Sequence, residues 1–255
     1  MRLAVAGGTG TVGRYVAAAA RGRGHEVVVL SRSAGVDLAS GAGLAAAVDG
    51  VEAIVDASNP PTIAREAATG YFTDATRHLH EAGHRAGARH LVVLSIVGVD
   101  RVPGFGYYQA KLAHEEAALA GPIPASVLRA TQFHEFPGQI LHRTRRGPVA
   151  LVPRMRVRPV AARTVGEALA VLVEGDPAGD AGELAGPGED DLVAMARRFA
   201  DRRGLRVHVV PVRAPGPSGR AMRAGALLPT SAAARLEGPT FAAWLAGDDP
   251  TAVTV

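Results

Sequence analysis

The first thirteen residues, MRLAVAGGTGTVG, constrain the fold more than any other stretch of the chain. Leu3, Val5 and the alanines around them form a short apolar run that stops at Gly7-Gly8-Thr9-Gly10-Thr11-Val12-Gly13. An alanine-rich, helix-forming stretch follows from Arg14 to Arg21. A buried strand, a glycine turn and a helix in that order make a phosphate cradle. Backbone N–H groups at a helix N-terminus point outward unpaired, and the helix dipole adds partial positive charge there. Gly7, Gly10 and Gly13 are spaced G-x-x-G-x-x-G, a relative of the G-x-G-x-x-G dinucleotide fingerprint. Glycines let the chain turn tightly and let a pyrophosphate approach with no Cβ in the way. The predicted cradle is therefore Gly7, Gly10 and Gly13 with Thr9, Thr11 and Val12 between them, the two threonines adding hydroxyl donors.

Composition narrows the class. At 255 residues and 47% hydrophobic, the chain can build one substantial core with a small appended lobe. No apolar stretch approaches the roughly 18 residues that span a bilayer, and Met1 leads straight into the first strand with no charged-then-apolar leader. A cytoplasmic location and no membrane partner are the expectations. The absence of cysteine excludes disulfides and thiolate chemistry. The net charge is +4, but the arginines are dispersed and not interleaved with aromatics, so no nucleic-acid partner is expected. The densest basic run, His142-Arg143-Thr144-Arg145-Arg146, reads as a solvated loop. Among 28 basic residues one is lysine, Lys111.

The elements alternate along the chain. Glu26 to Leu30 reads as a second strand ending in Ser31-Arg32. An acid just past this strand binds a free ribose 2′-hydroxyl, and an arginine accommodates a 2′-phosphate. Ser31 and Arg32 stand there, with no acid before Asp37, which favours NADP(H) over NAD(H). Val36-Asp37-Leu38 reads as a short third strand and Leu44 to Val48 as a short helix. A fourth strand, Glu52 to Ala57, delivers Ala57, Ser58 and Asn59 to its C-terminal end, and a helix follows over about 71–86. His90 to Ser95 and Ala125 to Ala130 are the fifth and sixth strands. Later come helices over 164–173, capped by Thr164, and over 190–203, closed by Gly204. A strand over 205–212, a Pro/Gly turn over 213–218 and a final helix packed by Phe241 and Trp244 complete the chain. This alternation predicts an α/β fold with a doubly wound parallel sheet, the Rossmann fold. Residues 1–150 form the NAD(P)-binding core in this reading, and 151–255 a smaller C-terminal substrate lobe. His80-Glu81-Ala82-Gly83-His84 matches the H-E-x-x-H pattern of zinc hydrolases, but no third ligand follows at a recognised spacing, so no metal is expected.

The chemistry points to Tyr107 and Lys111. They are four residues apart on a predicted helix, one turn apart on one face. A free phenol has a pKa near 10, and a nearby ammonium would favour the phenolate and lower it. Tyr107 could then exchange a proton with a carbonyl or alcohol oxygen, while Lys111 reaches the ribose hydroxyls of a nicotinamide cofactor.

With these residues in view, the chain resembles the short-chain dehydrogenase/reductase superfamily, in its atypical NmrA-like branch. The matching residues are Gly7, Gly10, Gly13, Arg32, Asp37-Leu38, Ala57-Ser58, Ser95 and Tyr107-x-x-x-Lys111. The segments Leu128 to Phe133, Glu183 to Pro187 and Phe241 to Leu245 match more weakly. The resemblance implies NAD(P)-dependent oxidoreduction with Tyr107 as acid–base and Lys111 as its helper. Many members place a serine beside the substrate oxygen, often in a serine pair; here Ser95-Ile96 stands, and Ser95 is the candidate. Thr131 borders the nicotinamide in this scheme, and Gln132, Phe133, His134, Phe136 and Gln139 line or approach the substrate pocket. The expectation is an NADPH-dependent oxidoreductase acting on a small carbonyl/alcohol or quinone-like substrate. The alternatives are a non-catalytic NADP(H)-binding redox sensor and an isomerase or dehydratase on the same scaffold. Oligomeric state stays open; the superfamily often forms homodimers through helices on one sheet face.

Overall fold

Strand β1 (Arg2–Ala6) is buried on both faces, with Leu3 and Val5 in one core layer and Ala4 and Ala6 in the other. That alternation sets the architecture of the computed structural model, which describes residues 1–247. The chain continues through α1 (Gly13–Gly22), β2 (Glu26–Leu30), α2 (Leu44–Ala47), β3 (Ala53–Asp56) and α3 (Arg65–Ala86). Next come β4 (His90–Ile96), α4 (Gly106–Ala120), β5 (Ala125–Ala130) and α5 (Phe136–Thr144). The remainder is β6 (Arg145–Arg146), β7 (Val149–Pro153), β8 (Arg156–Val157), α6 (Ala162–Leu172), β9 (Gly179–Ala185), β10 (Asp190–Asp191), α7 (Leu192–Arg202), β11 (His208–Val212), α8 (Gly216–Ala224), β12 (Arg235–Leu236) and α9 (Phe241–Ala246).

Seven strands form the central sheet in the order β12-β9-β5-β4-β3-β1-β2, every pairing parallel. One face is covered by α1 and α6 through Val16, Val165 and Leu169; the other by α2 and α3 through Leu44, Ala75 and Leu79. The fold is the doubly wound α/β Rossmann arrangement. The chain leaves β1 on one side to make β2 and on the other to make β3, so the connections diverge at the C-terminal ends of β1 and β3. A crevice opens at such a switch point.

Five expectations are corrected. Val36-Asp37-Leu38 is not a strand: Val36 N–H bonds Ser31 O, Asp37 N–H bonds Ala42 O, and Asp37 Oδ1 accepts Ala39 N–H. The left-handed Gly35, Gly41 and Gly43 turn this segment back on itself, which spends its backbone groups locally. A division at residue 150 does not follow the layers, because α6 and β9 from the second part complete the core and sheet of the first. What 151–247 adds beyond that is a third core, where Met155, Met195, Phe199 and Trp244 pack with Leu141 of α5 and Leu227. Thr164 lies inside α6 rather than capping it, and the basic run from His142 is the end of α5 passing into β6 rather than a loop. The expected Pro/Gly turn runs straight into α8, whose first residue is Gly216.

The helix that reads H-E-x-x-H uses His80 structurally. Its Nε2 lies 3.0 Å from Ala118 O and its Nδ1 accepts Ile123 N–H at 3.3 Å, so both ring nitrogens are engaged between α3 and α4. Among the described residues no helix is long and apolar enough to cross a membrane.

Candidate active site

The residues that follow β1, β2, β3, β4 and β5 converge on one cleft of about 1000 Å³ at the switch point. Its floor is the glycine turn. Gly7 has φ +70°, and a Cβ there would lie 2.8 Å from Ala57 O. Gly13 sits behind the turn, where a Cβ would collide with the Gly7 carbonyl, so this glycine lets α1 pack against the turn. Gly10 is different: a Cβ there would approach Gly7 O at 3.1 Å and otherwise point into the cleft that Thr9, Thr11 and Val12 also line. Helix α1 starts with no side-chain cap among the described residues; its Arg14 and Tyr15 N–H groups bond Gly10 O and Val12 O, which ties the helix to the turn.

One end of the cleft is made by Ser31, Arg32, Asp37 and Leu38, with Arg32 heading a single 3-10 turn, Arg32–Ala34. The middle is lined by Ala57, Ser58, Ser95, Lys111 and Thr131, and the other end by Tyr107, Gln132 and Phe133. Three residues lining this space carry a buried polar atom without a hydrogen-bond partner among the described residues: Ser58 Oγ, Ser95 Oγ and Gln132 Oε1. A buried polar atom left unpaired is costly, about 1–3 kcal/mol. Thr131 is already engaged, its hydroxyl donating to Arg158 O at 2.6 Å.

Tyr107 and Lys111 share a face of α4 but part company at their tips. The Tyr107 hydroxyl donates to Asn59 Oδ1 at 2.6 Å. Lys111 turns beneath it, donating to Leu94 O at 2.7 Å and to His114 Nδ1 at 3.0 Å, with its ammonium 4.5 Å from the centre of the Phe72 ring. The expected lowering of the Tyr107 pKa by Lys111 is therefore overturned. Burial pushes the phenol up to about 12, opposed by the charge of Arg143. Burial also brings Lys111 down to about 8, against the pull of the Asp56 and Glu115 carboxylates.

Below Lys111 lies a chain that sequence reasoning did not find. His114 Nε2–H donates to Asp56 Oδ2 at 3.1 Å, and Asp56 Oδ1 accepts Ser58 N–H at 2.8 Å. Because the carboxylate can only accept, Nε2 carries the ring proton and Nδ1 is left to accept from the ammonium. Burial and the neighbouring Lys111 charge keep His114 neutral, its pKa lowered. Burial alone would raise Asp56, yet the hydrogen bonds from His114 and Ser58 outweigh it and hold the carboxyl at about 2. The imidazole stacks on Phe72 at 4.6 Å between ring centres, which fixes its plane.

Comparison with known proteins fits this geometry. Residues 3–120 match the model of the NAD-dependent epimerase/dehydratase family. A short-chain dehydrogenase/reductase superfamily protein from Agrobacterium tumefaciens, solved with bound NAD, superposes with a TM-score of 0.67 at 21% identity, over 96% of this chain and 95% of that one. The chain has the short-chain dehydrogenase/reductase fold. Other structures with this fold include MoeE5 in complex with UDP-glucose and NAD, with a TM-score of 0.68 at 21% identity over 86% of this chain and 87% of that one. They also include dTDP-4-dehydrorhamnose reductase from Bacillus anthracis in complex with NADP, with a TM-score of 0.66 at 14% identity over 83% and 84% of the two chains. No curated protein sequence matches this chain significantly.

Within this short-chain dehydrogenase/reductase fold, His134 is misplaced by the sequence reading. It does not line the cleft. Its ring is enclosed by Phe241 and Trp244 at 5.6 and 5.3 Å, its Nε2 faces Pro239 O at 3.1 Å, and burial pushes its pKa down to about 4. It anchors α9. Helix α5 brings Phe136 and Gln139 into the cleft, and with them Ile140 and Arg143, which the sequence reading did not name. Their i, i+3, i+4, i+7 spacing is the helical signal that the basic run masked.

Proposed function

We propose that this protein is an NADP(H)-dependent oxidoreductase moving hydride to or from a small carbonyl/alcohol or quinone-like substrate. The observation that carries the reading is that the Tyr107 phenol and the glycine turn open into one cleft, with the unpartnered Ser95 Oγ between them in the sheet. The family match and the nucleotide-bound structures of the same fold support a nicotinamide-dependent enzyme.

The cleft fits the cofactor on its own features. Gly7 to Val12 would hold the pyrophosphate, at a turn whose middle glycine a Cβ would crowd. Ser31 and Arg32 would take the 2′-phosphate, and the one acid at that end, Asp37, already uses Oδ1 within its own turn. Gln132 and Thr131 border the nicotinamide half. The bound cofactor would supply or accept the hydride. The chain's own work is proton transfer and orientation. Held at a pKa of about 12, Tyr107 is a neutral acid at physiological pH; in the reducing direction its Oη–H protonates the nascent alkoxide. Ser95 Oγ donates to the same oxygen. Lys111, pinned at Leu94 O and His114, places a fixed positive charge under the ribose position, and the Arg143 charge is the one that opposes burial at the Tyr107 phenol.

Fluorescence titration with NADPH and NADH, then a panel of aldehydes, ketones and quinones, tests this. Tighter NADPH binding with substrate-dependent consumption is expected. Failure to bind either nucleotide overturns the reading. A nucleotide that survives purification and is never consumed in net terms moves the assignment to an isomerase or dehydratase.

A further inference from the structure

Four charged residues line the cleft: Arg32, Asp37, Lys111 and Arg143. Three have work that keeps them from a substrate. Arg32 and Asp37 sit at the far end, after β2, and Lys111 is tied to Leu94 O and His114. Arg143 lies at the opposite end, on the face of α5 that also presents Phe136, Gln139 and Ile140. It makes no hydrogen bond or ion pair among the described residues, whereas Arg145 and Arg146 on the same run are both bonded to backbone carbonyls. Its charge is felt at the Tyr107 phenol, which places it on the reacting side.

We propose that Arg143 is an anion-binding residue and that the substrate carries an oxyanion group, a carboxylate or phosphate, beside an aromatic or other apolar body. The proposal rests on the oxidoreductase reading and names its substrate class. Phe105, Tyr108, Phe133, Phe136 and Ile140 give that end of the cleft apolar walls. A guanidinium at the mouth of an apolar cleft focuses the field on incoming anions. Its planar fork pairs with a carboxylate or phosphate in a bidentate way that a neutral body cannot match. No acid lines this end among the described residues, so a cationic substrate would meet only repulsion.

The test measures binding rather than turnover. The protein saturated with NADP+, which cannot reduce an aldehyde, is titrated calorimetrically with 4-carboxybenzaldehyde, 4-formylphenyl phosphate and 4-methylbenzaldehyde. At least one anionic aldehyde is expected to bind about tenfold or more tighter than the neutral one, and which one does so tells carboxylate from phosphate. Arg143→Gln, a change at an exposed position, should abolish the preference, and Arg146→Gln should keep it. Equal binding of all three, no binding of any, or a preference that survives Arg143→Gln overturns the proposal. A preference that Arg143→Gln abolishes sustains it even if NADPH then fails to reduce the bound aldehyde; that failure would count against the oxidoreductase reading alone.

Discussion

The Tyr107 hydroxyl donates a 2.6 Å hydrogen bond to Asn59 Oδ1, tying the first turn of α4 to the loop that follows β3. A phenol that donates to an amide is held neutral and aimed. Removing the proton donor with Tyr107→Phe should lower kcat about 10²–10⁴-fold while leaving the NADPH Kd unchanged. Asn59→Ala leaves the proton but frees the ring, and should lower kcat about tenfold with a smaller change in KM, as expected for lost orientation. Steady-state kinetics with direct cofactor titration separates the two. Full activity in Tyr107→Phe would remove the phenol from the chemistry.

The pH profile should be set by Lys111 rather than by Tyr107. With the phenol at about 12, it stays protonated across the working range, and the ammonium at about 8 is the first of the pair to change state. In the reducing direction kcat/KM is therefore expected to be level through neutral pH and to fall above about 8. Asp56 raises the Lys111 pKa by its charge. Asp56→Asn should accordingly move the alkaline limb to lower pH. An alkaline limb that does not move in this variant would detach the buried Asp56–His114 pair from the function of Lys111.

The same carboxylate makes stability acid-sensitive. The Asp56 pKa is about 2 in the fold against an ordinary value of 3.8, so its contribution is complete above 3.8 and is lost as pH falls through 2. The stability gap between the wild type and Asp56→Asn, measured by urea denaturation, should narrow as the pH is lowered from about 4 towards about 2. A gap that is constant over that window would mean that the carboxylate is not preferentially charged in the fold.

What could be read from the sequence divides along physical lines. Five strands of the central sheet, β1 to β5, were legible because central parallel strands are continuous apolar runs, as in Leu91-Val92-Val93, whereas β9, reading GDAGELA, and the two-residue β12 carry no such run. The glycine turn and the Tyr107–Lys111 spacing were legible because each depends on residues close in sequence. The tip positions of those side chains were not. Lys111 is captured by Leu94 O, from β4, and by a histidine whose partner, Asp56, is 58 residues away, and nothing local encodes that contact. A weak signal existed: His114 stands three residues after the one lysine, on the same helical face. His134 failed for the converse reason. Its neighbours in sequence line the cleft, but its ring is claimed by Phe241 and Trp244, over a hundred residues on.

The glycine turn allows stability and binding to be separated by two single methyl groups. At Gly13 a Cβ meets the Gly7 carbonyl, a backbone atom that cannot move without shifting the turn or α1. Gly13→Ala should destabilise the fold by about 1–3 kcal/mol, the usual range for overpacking, and lower Tm accordingly. At Gly10 the nearest atom to a Cβ is Gly7 O at 3.1 Å, and the remaining space belongs to the cleft. Gly10→Ala should leave Tm nearly unchanged and weaken NADPH by about tenfold or more, because the methyl group takes the space through which a pyrophosphate approaches the backbone. Differential scanning fluorimetry with and without NADPH reads both effects in one experiment: Gly13→Ala shifts the apo transition, and Gly10→Ala shrinks the ligand-induced rise. If Gly10→Ala keeps the full rise, the pyrophosphate does not lie over this turn, and the cofactor assignment built on it fails.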